Sequence, residues 1–272
     1  MLNAFTIDLE DWIQSTYDNS RSITHFVHDN TIKLLELLDD KNTKATFFVL
    51  GLVAEAYPDL IREVHKRGHE IASHGYGHKL VFTQSPEEFK DDIKHSIDTV
   101  GSITNSKILG YRAPDFSIIS ESLWALEILD ELGIKYDSSI YPIKNPRYGI
   151  PGWPREPKKV DNSDLIEFPI STITLFDINL PFVGGGYTRL LPYPVMAFGI
   201  RHLNANGMPV NLYMHPYELN DSELKRLDID ISFKQMLSQG LNRKKVYSRI
   251  STLLTQFTFG TITEALQNMR LL

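Results

Sequence analysis

The six residues SHGYGH at positions 73–78 carry two histidines, His74 and His78, four positions apart. Neutral imidazole is a common metal ligand, and such a pair together with one carboxylate is a familiar set for a divalent metal. Gly75 and Gly77 disfavour a helix there, so we expect the pair at the end of a strand. The structural alternative is two histidines that bind nothing, which is the commoner case for an arbitrary H-x3-H pattern.

A carboxylate cluster, Asp8-Leu9-Glu10-Asp11, follows a short apolar run near the N-terminus. Alternate residues of a strand point the same way, so Asp8 and Glu10 share a face if the strand continues through them. One of the two could then bind a metal while the other acts as a base. If the strand ends at Asp8, this parity fails and Asp11 is an open candidate for the ligand. The structural alternative is that these carboxylates cap a helix near Trp12.

Polar residues also follow three later apolar runs: Arg112 and Asp115 follow ILGY, Asp137 follows GIKY, and His215 and Glu218 follow VNLYM. In α/β barrels the C-terminal ends of the strands meet at one face and form the active site. Five strand ends that supply Asp, Glu, His and Arg therefore indicate one active site.

The elements that must position these residues alternate between strand and helix patterns. The predicted strands are 4–10, 44–51, 69–75, 108–116, 134–140, 165–171 and 208–219; the predicted helices are 30–42, 52–68, 86–104, 120–133 and one after GGGY at 184–187. This alternation predicts an α/β protein with parallel strands and crossover helices, in an open sheet or a barrel. The 272 residues show no linker, so we expect one domain over 1–272 with a helical extension from about residue 220.

The composition excludes several classes of protein. The chain has no cysteine, so it has no disulfide framework and no thiolate metal site. A net charge of −6 without any basic run argues against nucleic-acid binding. The sequence shows no secretory signal and no apolar stretch of the roughly 18 residues that span a membrane, which predicts a cytoplasmic location. The oligomeric state is left open.

Four ordered motifs resemble the polysaccharide deacetylase superfamily, also called the NodB homology domain or carbohydrate esterase family 4. TIDLEDW resembles its first motif, the block from ATFFVLG to SHGYGH its second, YRAPDF its third and LYMHPYE its fifth. RYGIPGWPREP and GGGYTRLLPY are similar to the subgroup found with exopolysaccharide or O-antigen gene clusters, which has a C-terminal extension. The resemblance covers about residues 4–219 and implies a distorted (β/α)7 barrel.

The resemblance implies metal-dependent removal of an N- or O-acetyl group from an acetylated saccharide. Asp8 matches the family's general base, Arg112 the arginine that orients this base, and His215 the general acid. His74 and His78 match the metal-binding histidines. The implied cofactor is a divalent metal, with zinc as the first choice and cobalt, nickel or manganese as alternatives.

The chain departs from the family pattern at two places. The usual pair of adjacent aspartates is replaced by Asp8-Leu9-Glu10-Asp11, so the third metal ligand is Glu10, which strand parity favours, or Asp11. The fourth motif is only echoed in YDSSIYP, which makes Asp137 a weak candidate for the partner of His215.

Six residues are expected to contact the substrate: Pro114, Phe116, Trp153, Tyr187, Arg189 and Leu212. The resemblance implies that Leu212 lines a pocket for the acetyl methyl group, and that Pro114 and Phe116 wall the groove. Tyr187 and Arg189 follow three glycines that could admit a sugar or form a plain turn. Trp153 lies on the long loop 141–165, which could also use Tyr148 and Arg155 to bind a saccharide, or could simply cover the barrel mouth.

Two other functions fit the same residues. The superfamily includes hydrolases of small cyclic amides and imides, and the altered first motif is compatible with that activity. A barrel without catalytic activity that binds carbohydrate or a partner protein is the second alternative. YRAPDF and the two segments similar to the subgroup, RYGIPGWPREP and GGGYTRLLPY, favour the deacetylase over both alternatives.

Overall fold

The protein is described by a computed structural model, which covers residues 1–227 and 229–272. The strands are β1 Asn3–Leu9, β2 Thr46–Val49, β3 Glu70–Ser73, β4 Gly110–Tyr111, β5 Tyr136–Asp137, β6 Lys158–Lys159, β7 Ile166–Glu167, β8 Thr172–Leu175, β9 Ile178–Pro181, β10 Asn211–Met214 and β11 Phe259–Gly260. The helices are α1 His25–Asp40, α2 Gly51–Ala56, α3 Pro58–Lys66, α4 Pro86–Thr104, α5 Trp124–Glu131, α6 Gly185–Leu190, α7 Tyr193–Ala205, α8 Glu223–Arg226, α9 Phe233–Gly240, α10 Arg243–Gln256 and α11 Ile262–Asn268.

A curled sheet organises these elements. Over the two described ranges, seven strands run parallel in the order β10-β1-β2-β3-β4-β5-β7. β6 adds an antiparallel strand to β7, and β11 pairs with the start of β1. Side chains bridge the space between β7 and β10: the Asn211 amide donates to Phe168 O at 3.0 Å, and Asn211 N donates to Ser171 Oγ at 2.8 Å. The expected α/β barrel-like fold is confirmed.

Each parallel strand has one face toward the helices and one toward the barrel interior. Outward residues of the first strands, such as Ile7 and Phe47, join the main apolar core with Leu34 of α1 and Ile61 of α3. Some inward residues, such as Ala4 and Phe48, form another apolar cluster. Inward residues near the strand ends are polar, so the alternation that builds the core also directs the functional side chains to one end of the barrel.

Several element boundaries differ from those expected. Pro58 divides the predicted helix 52–68 into α2 and α3, because proline lacks the N–H that would continue the helix. The predicted helix 30–42 begins earlier, at His25, so Asn30 lies inside α1, where its buried amide donates to Glu223 at 2.7 Å. Strands β4, β5 and β7 have two residues each, shorter than predicted.

The region after β7 contains an element that the sequence pattern did not predict. β8 and β9 form a two-stranded antiparallel ribbon with Leu175 paired to Ile178. Beyond residue 220 the chain is mainly helical, with α8 to α11 and the short strand β11. Within the described residues, no helix is both long and apolar enough to cross a membrane.

Candidate active site

The two histidines of SHGYGH lie on a tight loop at the end of β3. Gly75 has φ +74°, which favours glycine, and its N–H donates to Ser73 Oγ at 3.1 Å. The start of α2 closes the loop, since Gly51 N donates to Gly75 O at 2.9 Å. A Cβ on Gly51 would lie 2.4 Å from the Tyr76 ring, so only glycine permits this close approach. The loop is therefore held by backbone contacts that leave both imidazoles free to point inward.

His74, His78 and Glu10 converge at one buried point. Glu10 Oε2 lies 2.8 Å from His78 Nε2 and 3.3 Å from His74 Nε2. One ligand atom from each residue falls within 4.8 Å of the others, as a shared metal ion requires. The second ring nitrogen of His74, Nδ1, lies 2.8 Å from Arg112 O, and a proton there leaves the Nε2 lone pair directed at the common point. The donor set fits a divalent metal ion.

The charge of Glu10 is stabilised by the surrounding imidazoles. Burial by itself would raise the pKa of Glu10, but the attraction of His78 and His215 and the hydrogen bonds with His74 and His78 hold this pKa well below its usual value. Ser15 Oγ donates to Glu10 Oε1 at 3.0 Å, and Tyr217 OH donates to the same oxygen at 3.3 Å. Glu10 is thus an ionised carboxylate with a fixed orientation.

Asp11 is engaged in local hydrogen bonds instead. Its Oδ1 accepts from Ile13 N at 3.0 Å and Gln14 N at 3.3 Å, and its Oδ2 accepts from Thr24 N at 3.0 Å and from the Thr24 hydroxyl. These bonds tie the turn after β1 to the start of α1. Of the two carboxylates left open by the sequence, the structure brings Glu10 and not Asp11 to the histidines.

Asp8 lies two residues before Glu10, and its side chain points to the same inward side. Arg112 Nη1 donates to Asp8 Oδ1 at 2.7 Å and to Thr6 Oγ1 at 3.0 Å. Arg112 Nε donates to Ser138 O at 3.0 Å, and the guanidinium stacks on the Phe48 ring at 4.1 Å. Both partners of the ion pair are almost fully buried, so the arginine has one rotamer available and holds Asp8 in one orientation.

His215 extends from the end of β10 toward the same point. Its Nε2 lies 3.5 Å from Glu10 Oε1 and 3.8 Å from Asp8 Oδ2. Its ring stacks on Tyr217 with centroids 4.7 Å apart. Burial alone would lower the pKa of His215, but Glu10, Glu218 and Asp8 raise it to about 9. A cation next to Glu10 would oppose part of this increase.

Glu218, which follows His215 by three residues, is the carboxylate on the other side of the imidazole. Glu218 Oε2 lies 3.7 Å from His215 Nδ1 and accepts from His215 N at 3.2 Å. Arg189 Nε donates to Glu218 Oε1 at 3.2 Å, while Arg189 Nη1 donates to the carbonyls of Ser238 and Gln239. The arginine therefore links the carboxylate beside His215 to helix α9.

Asp137 is not the partner of His215. It lies on the outward face of β5, where Ser139 N donates to its Oδ2 at 3.2 Å, and it is paired in register with Glu167 of β7. Strand parity explains this position, because the inward residue that follows is Ser138, which contacts Arg112.

A cavity of about 230 Å³ opens above these residues. Its lining is polar and comes from six parts of the chain: Glu10, Ser15, Thr16, Asp115, Arg147, Gly185, Gly186, Arg189, Tyr213, His215, Tyr217, Glu218 and Gln239. The arrangement combines a candidate metal position, a carboxylate held by an arginine and a histidine, which suits the hydrolysis of a carbonyl compound.

Two predicted substrate residues lie elsewhere. Leu212 is fully buried in the main apolar core, on the outward face of β10, because Asn211, Tyr213 and His215 occupy the inward face. Trp153 packs near α5 and lines a different surface groove. The prediction that Leu212 lines the pocket is therefore wrong, and Trp153 lies away from the reaction cavity.

The other four predicted substrate residues lie near the cavity in different roles. Pro114 is buried behind the histidine loop, and Phe116 is buried with its edge against Tyr213, 4.9 Å between centroids. Arg189 lines the cavity, but Glu218 and two carbonyls occupy its donors. Tyr187 is half-buried on α6. Pro114 and Phe116 therefore support the site from behind and do not wall it.

Several side chains at the site were not singled out from the sequence. Thr6 and Asn211 contact Arg112, and Ser15 and Tyr217 contact Glu10. The sequence does contain a signal for Thr6 and Asn211. Thr6 lies two residues before Asp8 and Asn211 lies four residues before His215, so strand alternation places both side chains inward. Ser15 and Tyr217 lie on turns, where no periodicity predicts direction.

Solved structures share this fold. A putative polysaccharide deacetylase from Mycobacterium smegmatis superposes with a TM-score of 0.67 at 19% identity, over 98% of this chain and 89% of that one. An allantoinase superposes with a TM-score of 0.65 at 13% identity, also over 98% and 89%. At such identities the likeness establishes only the class of fold, a barrel-like α/β fold.

The sequence matches two families in succession. Residues 9–136 match the polysaccharide deacetylase family, and residues 138–267 match a domain of unknown function, DUF3473. The peptidoglycan-N-acetylglucosamine deacetylase of Bacillus cereus is 31% identical over 98 residues, which are 36% of this chain and 36% of that protein. Residues 9–136 of the chain are therefore similar to the polysaccharide deacetylase family. It spans less than half the length of the curated relatives it matches.

Proposed function

We propose that this protein is a metal-dependent deacetylase that removes an N- or O-acetyl group from a saccharide. The observation that carries the proposal is the convergence of Glu10, His74 and His78 beside the Asp8–Arg112 pair and His215. The family match supports it, and so do relatives that are named as deacetylases of peptidoglycan and of chitooligosaccharides.

In this proposal Glu10, His74 and His78 hold the metal, with zinc as the first choice and cobalt, nickel or manganese as alternatives. Two imidazoles and one carboxylate form a set that zinc uses in hydrolytic sites. A divalent cation there would act as a Lewis acid toward the acetyl carbonyl and make water a better nucleophile near neutral pH.

The chain's own residues would then manage the protons. Asp8, held by Arg112, takes a proton from water as the water oxygen bonds to the acetyl carbon. His215, on the other side of Glu10, donates a proton to the sugar nitrogen or oxygen as its bond to the acetyl carbon breaks. Acetate and the free amine or hydroxyl are the products, so atoms and protons balance. A base and an acid in opposite protonation states predict a bell-shaped pH–rate profile.

The substrate is the finer part of the proposal. The resemblance of RYGIPGWPREP and GGGYTRLLPY to the exopolysaccharide-associated subgroup points to an acetylated cell-surface polysaccharide or its precursor. The cytoplasmic location stays a prediction.

The test is acetate release from a panel of acetylated saccharides, including N-acetylated chitooligosaccharides, with the protein loaded with zinc. We expect release by the wild type, restoration by zinc after chelation, and loss in His74→Ala. His202→Ala, which removes an exposed histidine on α7, is the matched control. Full activity of His74→Ala, or ring opening of cyclic amides without any acetate release, would overturn the proposal.

A further inference from the structure

A second cavity adjoins the reaction cavity. It has a volume of about 250 Å³ and is lined by Leu80, Phe82, Asp115, Pro146, Arg147 and Tyr148. Asp115 and Arg147 line the reaction cavity as well. The two cavities therefore share the side chains of Asp115 and Arg147 as part of their linings.

The two residues that line both cavities form an ion pair, and Asp115 lies in a strained loop. Arg147 Nη2 donates to Asp115 Oδ2 at 2.8 Å. Asp115 and the next residue, Phe116, have φ angles of +52° and +54°, a conformation that bulky side chains rarely adopt. Strain of this kind persists where it serves a function, and here it presents Asp115 to both cavities.

The second cavity offers aromatic surface to a ligand. Phe82 is 40% exposed on a short turn a few residues after His78. Tyr148, which lines the same cavity, stacks on Tyr141 at an interplanar angle of 9° and makes an edge contact with Phe116. A single exposed phenylalanine is ordinary, but one that lines a cavity together with a second, packed aromatic ring beside a reaction cavity offers a prepared apolar surface.

We propose that this second cavity is a saccharide subsite, which binds the sugar ring next to the one that is deacetylated. The proposal rests on the proposed deacetylase function. The C–H face of a pyranose packs on aromatic rings, and its hydroxyls can bond to the Asp115–Arg147 pair. Because the two charges of that pair cancel, the subsite favours a neutral ring, such as an N-acetylhexosamine, over a uronic acid. The substrate is accordingly an oligosaccharide or polymer of neutral acetylated sugars.

The test compares kcat/KM for acetylated mono-, di- and trisaccharides of one neutral series. In the wild type we expect kcat/KM to increase with the second ring. In Phe82→Ala the disaccharide-to-monosaccharide ratio of kcat/KM should fall by about 5-fold to 10-fold, the value of one aromatic contact. Phe82→Tyr should keep the ratio, because it keeps the ring. Phe198→Ala, which removes a 61% exposed phenylalanine outside both cavities, is the control and should keep it too.

The outcomes separate the inference from the function on which it rests. Acetate release with no gain from a second ring, or an unchanged ratio in Phe82→Ala, would overturn the subsite and leave the deacetylase intact. A gain for a disaccharide that ends in a uronic acid equal to that for the neutral one would overturn the assignment to a neutral ring. No acetate release from any saccharide would instead overturn the proposed function.

Discussion

Glu10 and Asp11 are adjacent carboxylates with different surroundings. Glu10 faces two imidazoles, whereas Asp11 accepts bonds from the backbone N–H groups of Ile13, Gln14 and Thr24. The difference follows from direction: β1 ends at Leu9, and the chain then turns so that only Glu10 continues the inward face of Asp8. Metal binding and local structure should therefore respond separately to changes at these two neighbours.

We predict that Glu10→Gln weakens metal binding by more than about 10-fold. Loss of a residue that only supports a metal ligand already lowers metal affinity by about this factor, and Glu10 is proposed to be a ligand itself. Asp11→Asn should keep the metal but lower the free energy of unfolding by about 1–2 kcal/mol, because it weakens the bonds that anchor the turn after β1. Metal content by mass spectrometry and urea unfolding measure the two effects. Loss of metal in Asp11→Asn with retention in Glu10→Gln would reverse the assignment.

In the proposed mechanism His215 is the general acid, and Glu218 is placed to orient it. Glu218 Oε2 lies 3.7 Å from His215 Nδ1, and Arg189 donates to Glu218 Oε1. We predict that Glu218→Gln lowers kcat for an N-acetylated sugar by about 10-fold to 100-fold, the range for orienting residues. Hydrolysis of 4-nitrophenyl acetate should fall far less, because nitrophenolate departs without a proton. Glu156→Gln, at an exposed position, is the control; equal losses on both substrates in Glu218→Gln would indicate a purely structural role.

At the scale of elements, strand alternation predicted which side chains face the pocket better than the motifs did. Parity alone places Asp8 with Glu10 and excludes Leu212 from the pocket, since Leu212 lies three residues before His215. The resemblance assigned Leu212 to the pocket despite this parity, and that assignment is wrong. The ribbon β8–β9 and the direction of Trp153 depend on contacts between distant segments, which no local pattern contains. The motifs thus located the site, and alternation selected the residues that face it.

Strands β5 and β7 place two buried carboxyl groups side by side. Asp137 and Glu167 are paired in register, and among the described groups Glu167 Oε2 has no hydrogen-bond donor when both are ionised. Burial, chiefly, and the neighbouring Asp137 raise the pKa of Glu167 well above its usual value, and burial raises that of Asp137. One proton on Glu167 supplies the missing hydrogen bond.

A folded-state pKa above the unfolded value contributes stability at low pH and loses it as the pH rises through the folded-state value. We therefore predict that the wild type loses free energy of unfolding as the pH rises above the usual glutamate pKa of about 4.3, and that Glu167→Gln, which mimics the protonated acid, loses less. Urea unfolding at a series of pH values above this pKa measures both proteins, with Glu156→Gln as the exposed control. Parallel curves for the wild type and Glu167→Gln would contradict the shared proton.

At the scale of the whole molecule, the two matched segments contribute to one sheet and one site. β1 lies near the N-terminus, where the first segment begins. It lies between β2 and β10, and it also pairs with β11. Arg112 of the first segment donates to Ser138 and Asn211 of the second. His215 and Glu218 also come from the second segment. We propose that residues 1–272 form a single folding unit.

This proposal predicts one cooperative unfolding transition for the full chain. The three tryptophans provide the measurement, because Trp12 and Trp124 lie in the first segment and Trp153 in the second. In Trp153→Phe, the fluorescence of the two remaining tryptophans reports the unfolding of the first segment. In the double variant Trp12→Phe with Trp124→Phe, the fluorescence of Trp153 reports the unfolding of the second. For one folding unit, each variant's fluorescence midpoint in urea should coincide with its own circular dichroism midpoint.

Residues 1–137 alone should unfold without cooperativity, because β1 then lacks β10 and Arg112 lacks Ser138 and Asn211. A cooperative transition in that fragment, or fluorescence that departs from circular dichroism in the full chain, would indicate two separate units.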